Sequence, residues 1–115
     1  MKIVYRSLLA GCLAIMLFGT AYADDEAALA RKKNCMACHM LERKLVGPSY
    51  KDIARRHAGD QALAADVEAK LAEKIIKGGK GAWAKELGAP IPMPPNTSAK
   101  PDEAVRLVKW ILGLK

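Results

Sequence analysis

An all-α fold is predicted by three features of this 115-residue chain. Apolar residues return every third or fourth position over 63–75 and 104–111, the period of a helix with one buried face. Gly78-Gly79 closes the first of these runs and Pro101 opens the second, as helix punctuation should. No run of strand character interrupts them, and there is neither an internal repeat nor a low-complexity tract.

The first 23 residues read as a segment to be removed. Lys2 and Arg6 supply positive charge without an acid, residues 7–19 are apolar, and Ala21-Tyr22-Ala23 has the small-x-small form of a cleavage site. Together they make a secretory signal peptide cut before Asp24, leaving one domain over residues 24–115 that is exported to the periplasm. Thirteen apolar residues are too few for a retained membrane span, which takes ~20. Leu9-Ala10-Gly11-Cys12 resembles a lipobox, but cleavage there would leave only residues 7–11 as an apolar core, so lipidation of Cys12 is the weaker reading.

In the remaining chain, Asp24, Asp25 and Glu26 sit where acids favour a helix N-terminus, and the helix they open is expected to run into Cys35. Val46-Gly47-Pro48 breaks it off. Ser49-x-x-Asp52 then caps a short helix ending near His57-Ala58-Gly59. Leu63, Val67, Leu71 and Ile75 mark an amphipathic helix that stops at Gly78-Gly79. Prolines forbid regular structure from Ala89 to Pro95, and Pro101 begins a last helix with Ala104, Leu107, Val108 and Ile111 along one stripe.

The chemistry concentrates in Cys35-Met36-Ala37-Cys38-His39. The C-x-x-C-H spacing is the attachment signature of c-type haem. Cysteines three apart share a helical face and can each form a thioether to one vinyl group, and the histidine that follows is held beneath the iron. A zinc site would need four ligands from Cys35, Cys38, His39 and His57, and sequence neighbours such as Cys38 and His39 rarely reach one tetrahedral ion. A thioredoxin-like pair would require a βαβ pattern, and a structural disulfide would leave His39 without a reason.

Composition points the same way. Without residues 1–23 the chain has 92 residues, a net charge of +5 instead of +7, and Tyr50, Trp83 and Trp110 as its large aromatics. So small a domain is marginal by surface-to-volume scaling, and its core lacks bulk. A covalently held haem fills that gap.

Pro90-Ile91-Pro92-Met93-Pro94-Pro95 is the second chemical feature. A thioether in the iron's sixth position is a soft ligand that favours the ferrous state, and flanking prolines stiffen the loop that presents it. Met36 and Met40 lie within or just after the attachment segment and cannot also cover the opposite haem face.

Cys35-x-x-Cys38-His39, Val46-Gly47-Pro48-Ser49-Tyr50-Lys51-Asp52, Ile91-Pro92-Met93-Pro94-Pro95-Asn96 and Lys109-Trp110 resemble the small bacterial class I cytochromes c of the cytochrome c-551 type. The resemblance covers essentially the whole chain after residue 23. It implies a compact class I cytochrome c fold of about four helices around one covalent haem c that carries single electrons in the periplasm. It also implies Cys35 and Cys38 as thioether anchors and His39 and Met93 as axial ligands. Pro48 matches the residue whose carbonyl accepts the proximal histidine's Nδ1–H, and Asn96 an asparagine that hydrogen-bonds the region of the ligand sulfur. Trp110 matches a core aromatic where the first and last helices cross. Two positions depart from the pattern. Trp83, matching a tryptophan near the haem propionates, stands ten residues before Met93, with residues 84–89 as an insertion. His57 falls where the family tends to carry phenylalanine, and is read as a partly buried aromatic before a rival ligand.

Arg31, Lys32, Lys33, Arg43 and Lys44 bracket the haem motif, and Lys77, Lys80 and Lys85 precede the methionine loop. Such a rim would steer redox partners with acidic docking surfaces, a terminal reductase or oxidase on one side and an upstream cytochrome or quinol-oxidising complex on the other. A solvated lysine face with no specific role is the bland alternative. Export and the absence of an aromatic-basic motif argue against nucleic acid. The leading expectation is a soluble, monomeric electron carrier and not an enzyme. The alternative is a haem protein with an open sixth site, acting as a peroxidase or gas binder, and behind it a small zinc-binding interaction domain.

Overall fold

The computed structural model describes residues 19–60, 63–88 and 91–115. The apolar segment 7–18 and Cys12 lie outside them. Five α-helices follow in order: α1 (Gly19–Lys32), α2 (Tyr50–Arg56), α3 (Ala64–Lys77), α4 (Ala84–Leu87) and α5 (Pro101–Leu112), with a 3-10 turn over Cys35–Ala37 between α1 and α2. Among the described residues there is no strand, only isolated bridges between His39 and Lys44 and between Gly79 and Met93.

The last helix is the hub. Ala104, Leu107, Val108 and Ile111 of α5 are buried, and α1, α2 and α3 each pack against it. Pro101 at its first turn loses no hydrogen bond, since that amide would have no partner in the helix. Glu103 reaches back to the Lys100 amide at 3.0 Å, the returning half of a capping box. Around this stripe lie Leu29 and Ala30 of α1 and Ala72 and Ile75 of α3. Four of the eight residues in that cluster are alanines, so the helices approach closely but enclose little apolar bulk.

The shorter elements follow their local signals. Ser49 caps α2 by accepting from the Asp52 amide at 3.0 Å, and the cap residue is itself fully buried. Gly78 ends α3 with a φ of 67°, the left-handed region that favours glycine.

The structure revises or adds to three expectations. In the full chain α1 begins at Gly19 and runs unbroken through Ala21-Tyr22-Ala23, so Asp25 and Glu26 are interior to the helix there, and only removal of residues 1–23 would put them in its first turn. Glu26 is instead buried at the crossing of α1 and α5, where Arg106 Nη2 and Nε donate to its Oε1 at 2.7 and 3.2 Å. Nor does α1 run into the haem motif. It stops at Lys32, and Asn34, with a φ of 62°, turns the chain into the 3-10 segment. Finally, four long or capped helices are joined by a fifth, one-turn α4 within the 84–89 stretch.

Candidate haem site

The attachment segment is a 3-10 turn in which side chains at i and i+3 eclipse, so Cys35 and Cys38 project on one side. Main-chain amides of Cys38 and His39 both donate to the Cys35 carbonyl, at 3.2 and 3.0 Å, and lock that turn. Both thiols are free and partly buried, and burial pushes the Cys35 thiol up.

His39 is held from three sides. Its Nδ1 donates to the Pro48 carbonyl at 2.8 Å, which leaves Nε2 as the nitrogen with a lone pair. Tyr50 stacks on the ring at a centroid distance of 5.4 Å and 16° between planes. Gly47 lies against it so closely that a Cβ there would stand 2.5 Å from Cε1 and 2.8 Å from Nδ1. Burial lowers the histidine pKa while the Pro48 carbonyl opposes that shift, so the ring is neutral at pH 7 and able to ligate. Tyr50 is buried, and burial keeps its hydroxyl protonated. Its ring in turn meets Trp110 edge-on at 5.6 Å, and Trp110 also packs, partly buried, against the core cluster to which Leu29 and Ala30 of α1 belong.

Met93 reaches the same region from the loop before α5. Its backbone pairs with Gly79, each amide donating to the other's carbonyl at 2.9 Å. Asn96 closes the loop: its amide nitrogen donates to the Ile75 carbonyl at 3.0 Å and its side-chain Nδ2 to the Lys33 carbonyl at 2.9 Å. The Asn96 Oδ1 accepts from the Ser98 amide and hydroxyl and from the Ala99 amide. These bonds tie the methionine loop to α3 and to the end of α1.

Between the two segments lies a cavity of about 620 Å³, within the ordinary range for ligand sites. Cys35, Cys38, His39 and Met93 all line it, and Leu71, Ile75, Leu107, Val108 and Ile111 supply apolar walls. A haem fits this donor set: two thiols on one side of a turn, a neutral imidazole with a free Nε2, a thioether, and an apolar slot. Among the described residues no group of three or more His, Cys, Asp or Glu is arranged to hold a bare metal ion.

Trp83 lines the cavity and carries the Arg56 guanidinium 4.3 Å above its ring. Arg56 also donates to the Ala82 carbonyl at 2.9 Å. Sequence reasoning passed over Arg56 and over Lys70 and Lys74, the cationic side chains in the cavity wall. The two lysines stand one residue before Leu71 and Ile75, so the same four-residue spacing places them beside the apolar face of α3. His57 does not line the cavity. It caps α2 and its Nδ1 lies 3.0 Å from Asp60 Oδ2.

The basic rim needs one revision. Lys33 is drawn inward to Glu103 at 3.1 Å and to the Ser98 carbonyl at 2.7 Å, so it braces the fold. Arg31, Lys32, Arg43, Lys44, Lys77, Lys80 and Lys85 are exposed, with Lys77 paired to Glu73.

The cytochrome c family model matches residues 24–115. Cytochrome c2 of Rhodocyclus tenuis is 55% identical over 91 residues, covering 79% of this chain and 94% of that protein. Cytochrome c-551 of Pseudomonas aeruginosa is 43% identical over 108 residues, covering 90% of this chain and 94% of that protein. Among solved structures, wild-type cytochrome c552 of Nitrosomonas europaea superposes with a TM-score of 0.66 at 45% identity, covering 77% of this chain and 99% of that one.

Proposed function

The chain belongs to the cytochrome c family of electron-transfer proteins, and we propose that, exported and cut after Ala23, it works in the periplasm as a soluble, monomeric single-electron carrier. In this reading Cys35 and Cys38 anchor its one covalent haem c, and His39 and Met93 are the axial ligands. The observation that carries it is the presentation of His39 and Met93 into one apolar cavity, each by a segment whose main chain is already fixed. Haem iron supplies reversible one-electron chemistry.

Everything else is the work of the protein. Pro48 orients the imidazole through Nδ1 and makes the ligand more electron-rich. The thioether of Met93 denies the sixth position to water and exogenous ligands, and its pinned loop keeps the coordination alike in both oxidation states. Trp83 and Lys74 offer an indole N–H and an ammonium to the haem carboxylates from the cavity wall. The exposed Arg43, Lys44, Lys80 and Lys85 favour approach of redox partners with acidic docking surfaces. Among the described residues no helix is long and apolar enough to cross a membrane, which suits a carrier that diffuses between complexes.

The test is a redox titration of the purified protein with carbon monoxide present and absent. The carrier reading predicts a single one-electron wave per chain, an unchanged ferrous spectrum under carbon monoxide, and an intact mass that begins at Asp24. Ready carbon monoxide binding by the wild type would point to an open site, and a diacylglyceryl group on Cys12 to a lipid-anchored protein.

A further inference from the structure

Gly78 and Gly79 end α3, and helix termination alone would require one glycine there. The pair does something more specific. A Cβ on Gly78 would stand 2.3 Å from the Met93 carbonyl oxygen, 2.8 Å from the Pro94 carbonyl carbon and 2.7 Å from the Pro95 nitrogen. All three are backbone atoms of the methionine loop, so the loop's main chain lies directly on the Gly78 Cα. Gly78 also has a φ of 67° and Gly79 a φ of 138°, both in the region that side-chain-bearing residues rarely adopt. Gly79 meanwhile exchanges both main-chain hydrogen bonds with Met93, each at 2.9 Å.

We propose that Gly78-Gly79 is the positioning element for the iron's sixth ligand: a side-chain-free seat against which the Met93 backbone is clamped, setting how readily the thioether leaves the iron. This rests on Met93 being that ligand. Proline stiffness fixes the internal shape of the loop, but it does not fix the loop's distance from α3. Beside Met93 that distance is set by the two hydrogen bonds of Gly79 and the absence of a Cβ on Gly78, with the Asn96 amide bond to the Ile75 carbonyl holding the far end of the loop. A methyl group at position 78 cannot be absorbed by a side-chain rotation, since every atom it meets is main chain. The cheapest relief is for the loop to lift from α3, and lifting the loop withdraws the sulfur. The nearest atoms to a methyl at position 79 are the Lys74 Nζ at 2.9 Å and the Lys74 Cε and Cδ at 3.8 and 3.9 Å, all of one flexible side chain, so Gly79→Ala is the milder perturbation.

Gly88 provides a control for positive φ without the clamp. Its φ is 72° and its ψ −4°, the left-handed helical well, whereas the ψ of −161° at Gly78 is open to little but glycine. A Cβ on Gly88 would meet nothing within 4 Å, so Gly88→Ala introduces a milder backbone strain and leaves the clamp untouched.

The experiment uses ferric holoprotein and imidazole as the probe. It measures imidazole affinity, the methionine–iron charge-transfer band and global stability for the wild type, Gly78→Ala, Gly79→Ala and Gly88→Ala. Relief of the Cβ clash by lifting of the loop, at the cost usual for overpacking, translates to roughly a ten- to hundredfold gain in imidazole affinity for Gly78→Ala, with weakening of the band. Gly79→Ala should fall between that and the wild type. Gly88→Ala should lose global stability but keep imidazole affinity within about twofold of the wild type. If Gly78→Ala fails to mature, Gly79→Ala carries the same readout. A wild type with the band whose Gly78 and Gly79 variants bind imidazole no better than Gly88→Ala would overturn the clamp. A wild type without the band would overturn the ligand assignment first, and the clamp with it.

Discussion

Replacing Gly47 with alanine probes how rigidly the proximal histidine is held. The new Cβ would stand 2.5 Å from His39 Cε1, 2.8 Å from Nδ1 and 3.1 Å from Nε2. Carbon atoms rest about 3.5–4.0 Å apart, so ring and backbone must separate by roughly 1 Å. The ring has little room to yield. Tyr50 stacks on it, and the Nδ1 bond to Pro48 resists its rotation. The Gly47 backbone is no freer, since its amide donates to the Cys38 carbonyl at 2.8 Å and its carbonyl accepts from the Leu45 amide at 3.0 Å. Overpacking of this kind costs about 1–3 kcal/mol. In a domain of this size each kcal/mol lowers Tm by roughly 4–8 °C. The assay is thermal unfolding of ferric holoprotein beside Gly59→Ala, where a Cβ meets nothing within 4 Å and stability should stay within about 0.5 kcal/mol. Equal Tm values for the two variants, with unshifted His39 proton resonances, would refute the view that His39 is wedged in place.

Leu107→Ala should cost about 2–5 kcal/mol in urea unfolding, because that side chain is 1% exposed and three helices meet on α5 around it; a loss below 1 kcal/mol would deny α5 its central place. The Lys100 amide and the Lys33 ammonium hold the Glu103 carboxyl below the usual range, so its stabilisation is present above about pH 4.3 and fades as pH falls through the depressed folded value. Glu103→Gln should accordingly unfold at lower urea than wild type at pH 7 and at nearly the same urea at pH 2, and a gap that persists in acid would contradict this. Reduction of an acidic redox partner should slow as salt rises, since exposed charges are screened over ~8–10 Å at physiological ionic strength; a second-order rate indifferent to salt would remove the steering role of Arg43, Lys80 and Lys85.

Much of this architecture is legible residue by residue wherever the cause is local. The Pro101 start and apolar stripe of α5, the Ser49 cap and the Gly78 stop each depend on a few neighbouring side chains, and each stands where the pattern puts it. What escaped depends on contacts between distant residues. Lys33 looks like one more surface charge until Glu103 and Ser98, far along the chain, draw it inward. Helix α4 is only Ala-Lys-Glu-Leu, too short to show a period. It is tied from outside, by Lys44 to the Glu86 carbonyl at 3.4 Å and by Arg56 to the Glu86 carboxylate at 3.8 Å. The site divides the same way. The cysteines, His39 and Met93 are marked by spacing and flanking prolines, whereas the clamp at Gly78-Gly79 looks like an ordinary helix terminus until the loop is seen resting on it.

If His39 and Met93 together close the iron, the protein is built to carry electrons and not to bind a substrate there. The most direct measurement is the visible and proton NMR spectrum of the oxidised wild-type protein at neutral pH. Ligation by both residues should give a methionine–iron charge-transfer band and strongly shifted methionine resonances, both abolished in Met93→Ala. A wild-type spectrum lacking both, with a high-spin or bis-histidine signature in their place, would contradict it.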